Sequence, residues 1–297
     1  MGEGMDQEQR SKIAHGTGFF AALDQSGGST PKALSLYGVD SFADEGEMFD
    51  LMHEFRARII TSPSFDGARI LGAILFEQTM DRDISGVPSP QYLWERKNIV
   101  PFVKVDEGLA DEADGVRLMK PFTKLDGLLD RAVARRVFGT KMRSFVASAS
   151  RTGINAIVDQ QFEYAERILD AGLVPILEPE VDIHSSTKLE AEVVLKQALL
   201  DRLADLPAGR QVMLKLSIPS VDDFYADVIG HPRVLRVVAL SGGYSQQEAD
   251  ELLTRNHGLI ASFSRALVQD LRHDQTDADF DHTLDTAVAA IYQASLT

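Results

Sequence analysis

Cysteine is absent from this chain of 297 residues. Its absence excludes disulfides, thiolate nucleophiles, iron–sulfur clusters and thiolate-bound zinc. Basic side chains are also scarce, because 30 lysines and arginines face 45 aspartates and glutamates, which gives a net charge of −15. A surface this acidic repels nucleic-acid phosphates and anionic lipid, so we expect neither nucleic acid nor membrane as a partner.

Long hydrophobic runs are missing as well. No apolar stretch approaches the roughly 18 residues that a membrane span requires. The N-terminal segment is polar and charged, unlike a secretory signal, and Asp6 stands where a myristoylation signal needs Ser or Thr. These absences together predict a soluble cytoplasmic protein.

Short apolar runs that end in polar or charged residues recur eight times. They occupy residues 18–25, 70–77, 100–106, 138–144, 173–181, 211–218, 234–241 and 259–263. Segments with helical periodicity lie between them. Eight strands alternating with helices predict a TIM (β/α)8 barrel, a fold of about 250 residues, with an open doubly wound sheet as the competing architecture. We expect residues 1–297 to form one barrel domain, with residues 1–15 as an N-terminal helical extension.

Charged side chains lie within or at the end of the apolar runs, and six of them belong to six different runs: Asp24, Glu77, Lys104, Lys141, Glu178 and Lys215. Barrel active sites form at the carboxyl ends of the strands, so these side chains should converge on one mouth. Alternation along residues 211–218 places Met213 and Lys215 on the face opposite Leu214 and Leu216. Lys215 is therefore predicted to point into the barrel.

A lysine in an apolar barrel, near other cations, has its charged form disfavoured. The neutral amine of Lys215 could then attack a ketone and form an imine. A buried Lys–Glu ion pair without catalysis is the alternative. Two features favour the catalytic interpretation, because each is suited to binding a phosphate: the Ser-Gly-Gly segment at residues 241–243 and the small-residue loop at residues 26–30. Arg265 follows the final run, in a region of barrels that often holds phosphate.

These segments resemble class I fructose-bisphosphate aldolases, in particular the compact bacterial type. The resemblance spans roughly residues 15–295. It is carried, in family order and spacing, by residues 21–29 (AALDQSGGS), 71–78 (LGAILFEQ), 103–106 (VKVD), 139–143 (GTKMR), 177–180 (LEPE), 213–216 (MLKL), 240–243 (LSGG) and 262–267 (SFSRAL). The resemblance implies that Lys215 forms the Schiff base and that Glu178 is the principal proton-transfer group. The positions that match the surrounding catalytic residues are Asp24, Lys141 and Glu180.

The resemblance also implies two groups of substrate-binding residues. The phosphate of the dihydroxyacetone half is matched by Ser241, Gly242, Gly243 and Arg265. The other phosphate and the sugar hydroxyls are matched by Ser26, Ser29, Lys104 and Arg143. The implied reaction is the reversible cleavage of fructose 1,6-bisphosphate to dihydroxyacetone phosphate and glyceraldehyde 3-phosphate. It implies no cofactor and no metal, because the imine acts as the electron sink.

Two departures from the larger animal-type enzymes are visible. Gln25 replaces a glutamate, and the chain ends with Thr297 where those enzymes have a tyrosine that assists proton exchange. Enamine protonation must then use another group or water. The alternatives are an aldolase for fructose 1-phosphate or tagatose 1,6-bisphosphate, and a silent phosphosugar-binding barrel. Homo-oligomers are common among such barrels, but no interface pattern is evident in the sequence.

Other patterns are weaker. The segment GTGFFA at residues 16–21 fits a dinucleotide-binding fingerprint but precedes its strand instead of following one. Residues 277–281 (DADFD) begin like a calcium loop, yet His282 occupies the required glycine position. The seven histidines lack metal-ligand spacing, which counts against a zinc-dependent aldolase. The basic residues of the run 131–136 are expected to form a solvated face.

Overall fold

A closed barrel of parallel strands forms the centre of the computed structural model, which describes residues 2–26 and 29–297. Its strands are β1 (Phe19–Leu23), β2 (Ile70–Leu75), β3 (Val100–Lys104), β4 (Gly139–Val146), β5 (Val174–Val181), β6 (Val212–Ser217), β7 (Val234–Leu240) and β8 (Ile260–Phe263). Each strand pairs in parallel with its neighbours in the chain, and β1 also pairs with β8. The predicted (β/α)8 barrel is therefore confirmed.

The strand boundaries follow the predicted apolar runs except at β4. This strand continues beyond residue 144 because the short strand Val116–Arg117 pairs with it in antiparallel fashion, opposite Phe145 and Val146. A further short hairpin joins Asp83–Ile84 to Val87–Pro88. Local periodicity could not reveal the β4 extension, because it depends on a segment distant in the chain.

Helices precede, connect and follow the strands. They are α1 (Gly2–His15), α2 (Ser29–Tyr37), α3 (Glu45–Thr61), α4 (Glu77–Met80), α5 (Ser89–Lys97), α6 (Leu125–Ala134), α7 (Arg151–Asp170), α8 (Lys188–Asp205), α9 (Ala226–Ile229), α10 (Gln246–Leu253), α11 (Arg265–Val268) and α12 (Asp277–Ala294). Side-chain caps fix several starts, as at α7, where the Ser150 hydroxyl accepts a hydrogen bond from the Gly153 N–H. Across the two described segments of the chain, no helix is long and apolar enough to cross a membrane.

Two apolar layers sandwich the strands. Leu214 and Leu216 of β6 pack outward against the helices, whereas Met213 faces the barrel interior beside Phe20 and Val238. This alternation confirms that Lys215 points inward. Both faces of β6 are buried, one against the helices and one in the barrel interior, as the alternation of its side chains predicted.

Helix α1 closes the amino-terminal end of the barrel. Ile13 is fully buried in the interior cluster, Lys12 Nζ donates to the Gly67 carbonyl at 2.7 Å, and Arg236 donates to the Ala14 carbonyl at 3.0 Å. The interior is therefore apolar at this end and charged at the opposite mouth.

Candidate active site

Four buried charged side chains meet at the carboxyl end of the barrel. Lys141 Nζ lies 2.6 Å from Asp24 Oδ2 and 3.0 Å from Glu178 Oε2. Lys215 Nζ lies 3.1 Å from the other oxygen, Glu178 Oε1. Each of the four is at most 9% exposed. Glu178 thus bridges the two lysines, and the predicted convergence of these four residues is present.

The charges of this cluster are set by mutual contact. Burial disfavours the charge on Asp24, but Lys141 and Lys215 outweigh it and hold its pKa well below the usual range. Glu178 has a lowered pKa for the same reasons. Burial likewise opposes the charge on Lys141, yet Asp24, Glu178 and Asp106 hold its pKa above the ordinary value. At neutral pH both carboxylates are therefore ionised, and Lys141 is a fixed cation.

A cavity of about 310 Å³ opens in front of Lys215 and Glu178. Its rim includes the predicted phosphate-binding residues Ser241, Gly242, Gly243 and Arg265. Gly242 has a φ of 61°, and an added Cβ would lie 2.7 Å from Ile183, so glycine is needed there on both counts. Such a turn can present successive backbone N–H groups to an anion.

The loop after β1 borders the same cavity. Gln25 Nε2 donates to Ser264 Oγ at 2.6 Å, which ties this loop to the end of β8. Ser29 lines the cavity too, although the resemblance assigned it to the other phosphate. Gly27 and Gly28, which belong to the predicted anion-binding loop, lie outside the described residues.

A second cavity of about 320 Å³ lies at the ends of β2 and β3. Ser26, Lys104 and Asp106 line it. Lys104 Nζ lies 2.7 Å from Asp106 Oδ1, so this cation is already paired with a carboxylate. Two separate cavities therefore open at this end of the barrel, the first lined by residues that follow β7 and β8 and the second by residues that follow β2 and β3.

Three predicted residues lie apart from the buried cluster. Arg143 forms an ion pair with Glu180 at the rim. Glu77, expected at the mouth with the other charged residues, points to Arg131 at 3.0 Å and lines the second cavity. Arg131 also contacts Asp81, so this arginine of the basic run forms ion pairs.

Two residues that support the site were not predicted. Asp106 Oδ2 accepts a hydrogen bond from the Arg143 N–H at 3.2 Å and thereby joins the ends of β3 and β4. Arg56 is 2% exposed and donates to Thr79 Oγ1 at 2.9 Å and to the Gln25 carbonyl, directly behind the loop that carries Asp24. Two sequence features could have identified them. Asp106 lies two residues after Lys104 and so shares its strand face, and Arg56 lies on the apolar face of α3.

The patterns judged weaker have simple structural explanations. Gly16 and Gly18 lie in the loop that enters β1. The acidic segment at residue 277 begins α12, where Thr276 caps the helix by accepting a hydrogen bond from the Asp279 N–H. In the described part of the chain, no cluster of three or more histidine, aspartate or glutamate side chains is arranged to hold a metal ion.

Comparisons with known proteins place these observations in a family. The family model for class I fructose-bisphosphate aldolase matches residues 5–218. The chain is 58% identical over 294 residues to a fructose-bisphosphate aldolase class 1 of Synechocystis sp., with 98% of each chain covered. It is 55% identical over 294 residues to the enzyme of the same name from Porphyromonas gingivalis, with 98% of this chain and 100% of the relative covered.

A solved structure supports the fold independently. The fructose-bisphosphate aldolase from Plasmodium falciparum, in a ternary complex with TRAP and a small-molecule inhibitor, superposes with a TM-score of 0.73 at 23% identity. The match covers 98% of this chain and 94% of that chain. Together with the nearly full-length sequence relatives, it leads to one conclusion: the chain belongs to the class I fructose-bisphosphate aldolase family.

Proposed function

We propose that this chain catalyses the reversible aldol cleavage of fructose 1,6-bisphosphate, with Lys215 as the nucleophile. The observation that carries the proposal is the position of Lys215, a buried lysine that lines the first cavity and has its Nζ 3.1 Å from the Glu178 carboxylate. An amine needs a nearby base to become nucleophilic, and an ionised glutamate supplies it. Lys141 is suited instead to a fixed positive charge, because two carboxylates surround it.

Imine formation uses Glu178 first as a base and then as an acid. The Glu178 carboxylate takes a proton from the Lys215 ammonium, the neutral amine attacks the C2 carbonyl, and Glu178 gives this proton to the C2 oxygen. Glu178 then takes a second proton from the nitrogen of the carbinolamine and gives it to the C2 hydroxyl, which departs as water and leaves a protonated imine. The lowered pKa of Glu178 favours this order, because the residue enters the cycle ionised.

Carbon–carbon cleavage follows from the protonated imine. The iminium withdraws electrons while the C3–C4 bond breaks, and the C4 hydroxyl loses its proton to Glu178. Lys141 stabilises the negative charge that develops on the C4 oxygen, and Asp24 orients a substrate hydroxyl from its contact with Lys141. The remaining enamine is protonated and hydrolysed, which releases dihydroxyacetone phosphate and regenerates Lys215.

The two cavities are assigned to the two ends of the substrate. Four residues of the first cavity are proposed to bind the phosphate of the dihydroxyacetone half: Ser241, Gly242, Gly243 and Arg265. Ser26 and Lys104 are proposed to bind the other phosphate in the second cavity. Ser29 is assigned to the first phosphate because of the cavity that it lines, and Arg143 to holding Glu180 at the rim. These groups supply local contacts for the phosphates, although the net charge of −15 on the whole chain repels anions.

The organisation of the whole chain supports the same proposal. The closed barrel uses strands from residue 19 to residue 263, and α1 and α12 pack against it, so we assign residues 1–297 to one catalytic domain. We assign the protein to the cytoplasm because of its composition, which includes no cysteine.

Trapping the imine tests the proposal directly. Borohydride is added during turnover of fructose 1,6-bisphosphate in the presence of EDTA, and the modified peptide is identified by mass mapping. We expect an irreversible adduct on Lys215 and none in a Lys215→Met control. Turnover without an adduct, or loss of activity to EDTA, would contradict the covalent mechanism.

The same experiment separates the alternatives. Comparable turnover of fructose 1-phosphate would indicate that the second cavity does not select a bisphosphate, and tagatose 1,6-bisphosphate tests the stereochemical preference. The absence of both turnover and adduct would favour a silent phosphosugar-binding barrel.

A further inference from the structure

Ser262 on β8 carries a buried hydroxyl that the steps described so far do not use. The residue is 2% exposed, and its Oγ has no hydrogen-bond partner among residues 2–26 and 29–297. It nevertheless lines the first cavity together with Lys215 and Glu178. A buried polar atom without a partner is unfavourable, and such atoms are rare in native proteins. The unsatisfied hydroxyl of Ser262 therefore requires an explanation.

Another inward-facing serine of the barrel shows what a structural hydroxyl looks like. Ser217 Oγ on β6 accepts a hydrogen bond from the Val181 N–H at 2.9 Å and donates to the Val181 carbonyl at 2.7 Å. Both of its hydrogen-bonding functions are occupied by the neighbouring strand. Ser262 makes no such contacts among the described residues, and rotation about its Cα–Cβ bond can turn the hydroxyl toward the cavity that the residue lines.

The position of Ser262 in the cavity limits what it can meet. Three of the polar side chains that line the cavity are buried: those of Lys215, Glu178 and Ser262. Beyond Ser262, the chain leaves β8 at Phe263 and continues through Ser264 to Arg265 at the rim, where we place the phosphate of the dihydroxyacetone half. A hydroxyl between Lys215 and this phosphate lies on the side of the substrate that carries C1 and C2.

We propose that Ser262 is a catalytic residue that donates a hydrogen bond to the C2 oxygen of the bound ketose. This inference rests on the proposed function of Lys215. As the amine attacks, the C2 carbonyl oxygen gains negative charge, which a pre-positioned donor stabilises. A hydroxyl can also accept, so Ser262 can remain bonded to the C2 hydroxyl of the carbinolamine. Ser262 transfers no proton in this step; Glu178 still takes the proton from the nitrogen and delivers it to the departing oxygen.

The chain offers a matched control in Thr140 on β4. Its Oγ1 is also buried and without a partner in the described part of the chain. Thr140 lies on the strand face opposite Lys141, toward the covering helices. Thr140→Val removes the same kind of orphaned hydroxyl without touching the proposed site.

The test measures how fast a borohydride-trappable adduct forms on Lys215 after rapid mixing with fructose 1,6-bisphosphate. We expect Ser262→Ala to slow adduct formation about tenfold or more, because one hydrogen bond to a developing oxyanion is lost. Ser262→Cys, with a weaker donor, should fall between the wild type and Ser262→Ala. Thr140→Val should match the wild type, and none of these variants should lower the thermal midpoint.

Each other outcome has a definite meaning. An unchanged rate in Ser262→Ala, with a normal wild-type adduct, would overturn the role of Ser262 and leave the proposed function intact. A lower thermal midpoint together with slower adduct formation would make Ser262 a structural residue and also overturn the inference. Absence of the adduct in the wild type would overturn the proposed function, and the role of Ser262 with it.

Discussion

Two buried Lys–Glu pairs of this barrel differ in a way that separates chemistry from architecture. Lys188 at the start of α8 pairs with Glu192, and its Nζ also donates to the Ile218 carbonyl at 2.9 Å and to Ser220 Oγ at 3.0 Å. Glu192 is fully buried, and its Oε2 accepts a hydrogen bond from the Ser220 N–H at 3.0 Å. This pair is saturated, because all three ammonium hydrogens have a partner.

The pair of Lys215 and Glu178 is incomplete by comparison. Within residues 2–26 and 29–297, Lys215 Nζ has one carboxylate at 3.1 Å and makes no other polar contact, and it borders a cavity. Burial and pairing alone do not distinguish a catalytic lysine from a structural one. What distinguishes Lys215 is that its Nζ has unused hydrogen-bond donors beside a cavity. This favours a catalytic role for Lys215 over the structural ion pair that its sequence context also allowed.

Substitution of Lys215, the lysine of the incomplete pair, should have the largest effect on catalysis. We expect Lys215→Met to lower kcat by at least about 10⁴-fold, because the covalent route is lost. Stability should be retained, since Glu178 keeps Lys141 at 3.0 Å. A coupled assay for triose phosphate and a thermal unfolding scan check both halves. Activity within tenfold of the wild type would exclude Lys215 as the nucleophile.

Removing the saturated pair should act on stability instead. Lys188→Met leaves the carboxylate of Glu192 buried without its cation, so we expect the free energy of unfolding to fall by about 3–5 kcal/mol. Urea denaturation measures this loss. The double variant Lys188→Met/Glu192→Leu is the control and should recover much of it. Activity per folded molecule at low temperature should stay near the wild-type value, and a large fall in kcat would show that Lys188 also acts in catalysis.

The charged cluster at the mouth should make stability depend on acid pH. The folded-state pKa of Asp24 lies below its unfolded value of about 3.9, so its stabilising contribution is present above pH 4 and is lost as the pH falls below it. Lys141, which pairs with Asp24, supplies part of this stabilisation.

Urea unfolding of the wild type and Asp24→Asn between pH 6 and pH 3 tests this dependence. The free-energy difference between them should be constant at the upper end. Below about pH 4 it should shrink by up to about 1.4 kcal/mol per pH unit, which is the limit for one proton. A difference that stays constant down to pH 3 would show that Asp24 does not have a lowered pKa.

The Lys104–Asp106 pair lies between the two extremes, because it is partly buried yet borders a cavity. We expect Lys104→Met to raise the KM for fructose 1,6-bisphosphate about tenfold with little change in kcat, because one charge-assisted hydrogen bond to phosphate is lost. Fructose 1-phosphate is the control substrate, and its KM should change much less. Equal changes for both substrates would mean that Lys104 does not bind the second phosphate.

Much of the architecture could be predicted because it depends on local patterns. Alternation along β6 correctly placed Lys215 inside the barrel, and the order of apolar runs and helical segments predicted the eight parallel strands. The orientation of Glu77 could not be predicted, because Arg131 on α6 lies 54 residues away in the chain. The extension of β4 had the same origin, since Val116–Arg117 pairs with it from outside its own sequence window.

Three properties could be predicted from the amino-acid sequence: the barrel, the inward direction of Lys215 and the family to which the chain belongs. These properties follow from hydrophobic periodicity and from motifs in a fixed order, both of which are written along the chain. Three features depend on the folded structure: Glu178 bridges Lys141 and Lys215, Lys188 is saturated, and the Ser262 hydroxyl is buried without a partner in the part of the chain that the structure describes. Hydrogen-bond saturation depends on which atoms of distant strands come within about 3 Å of one another, and only the folded packing sets those distances.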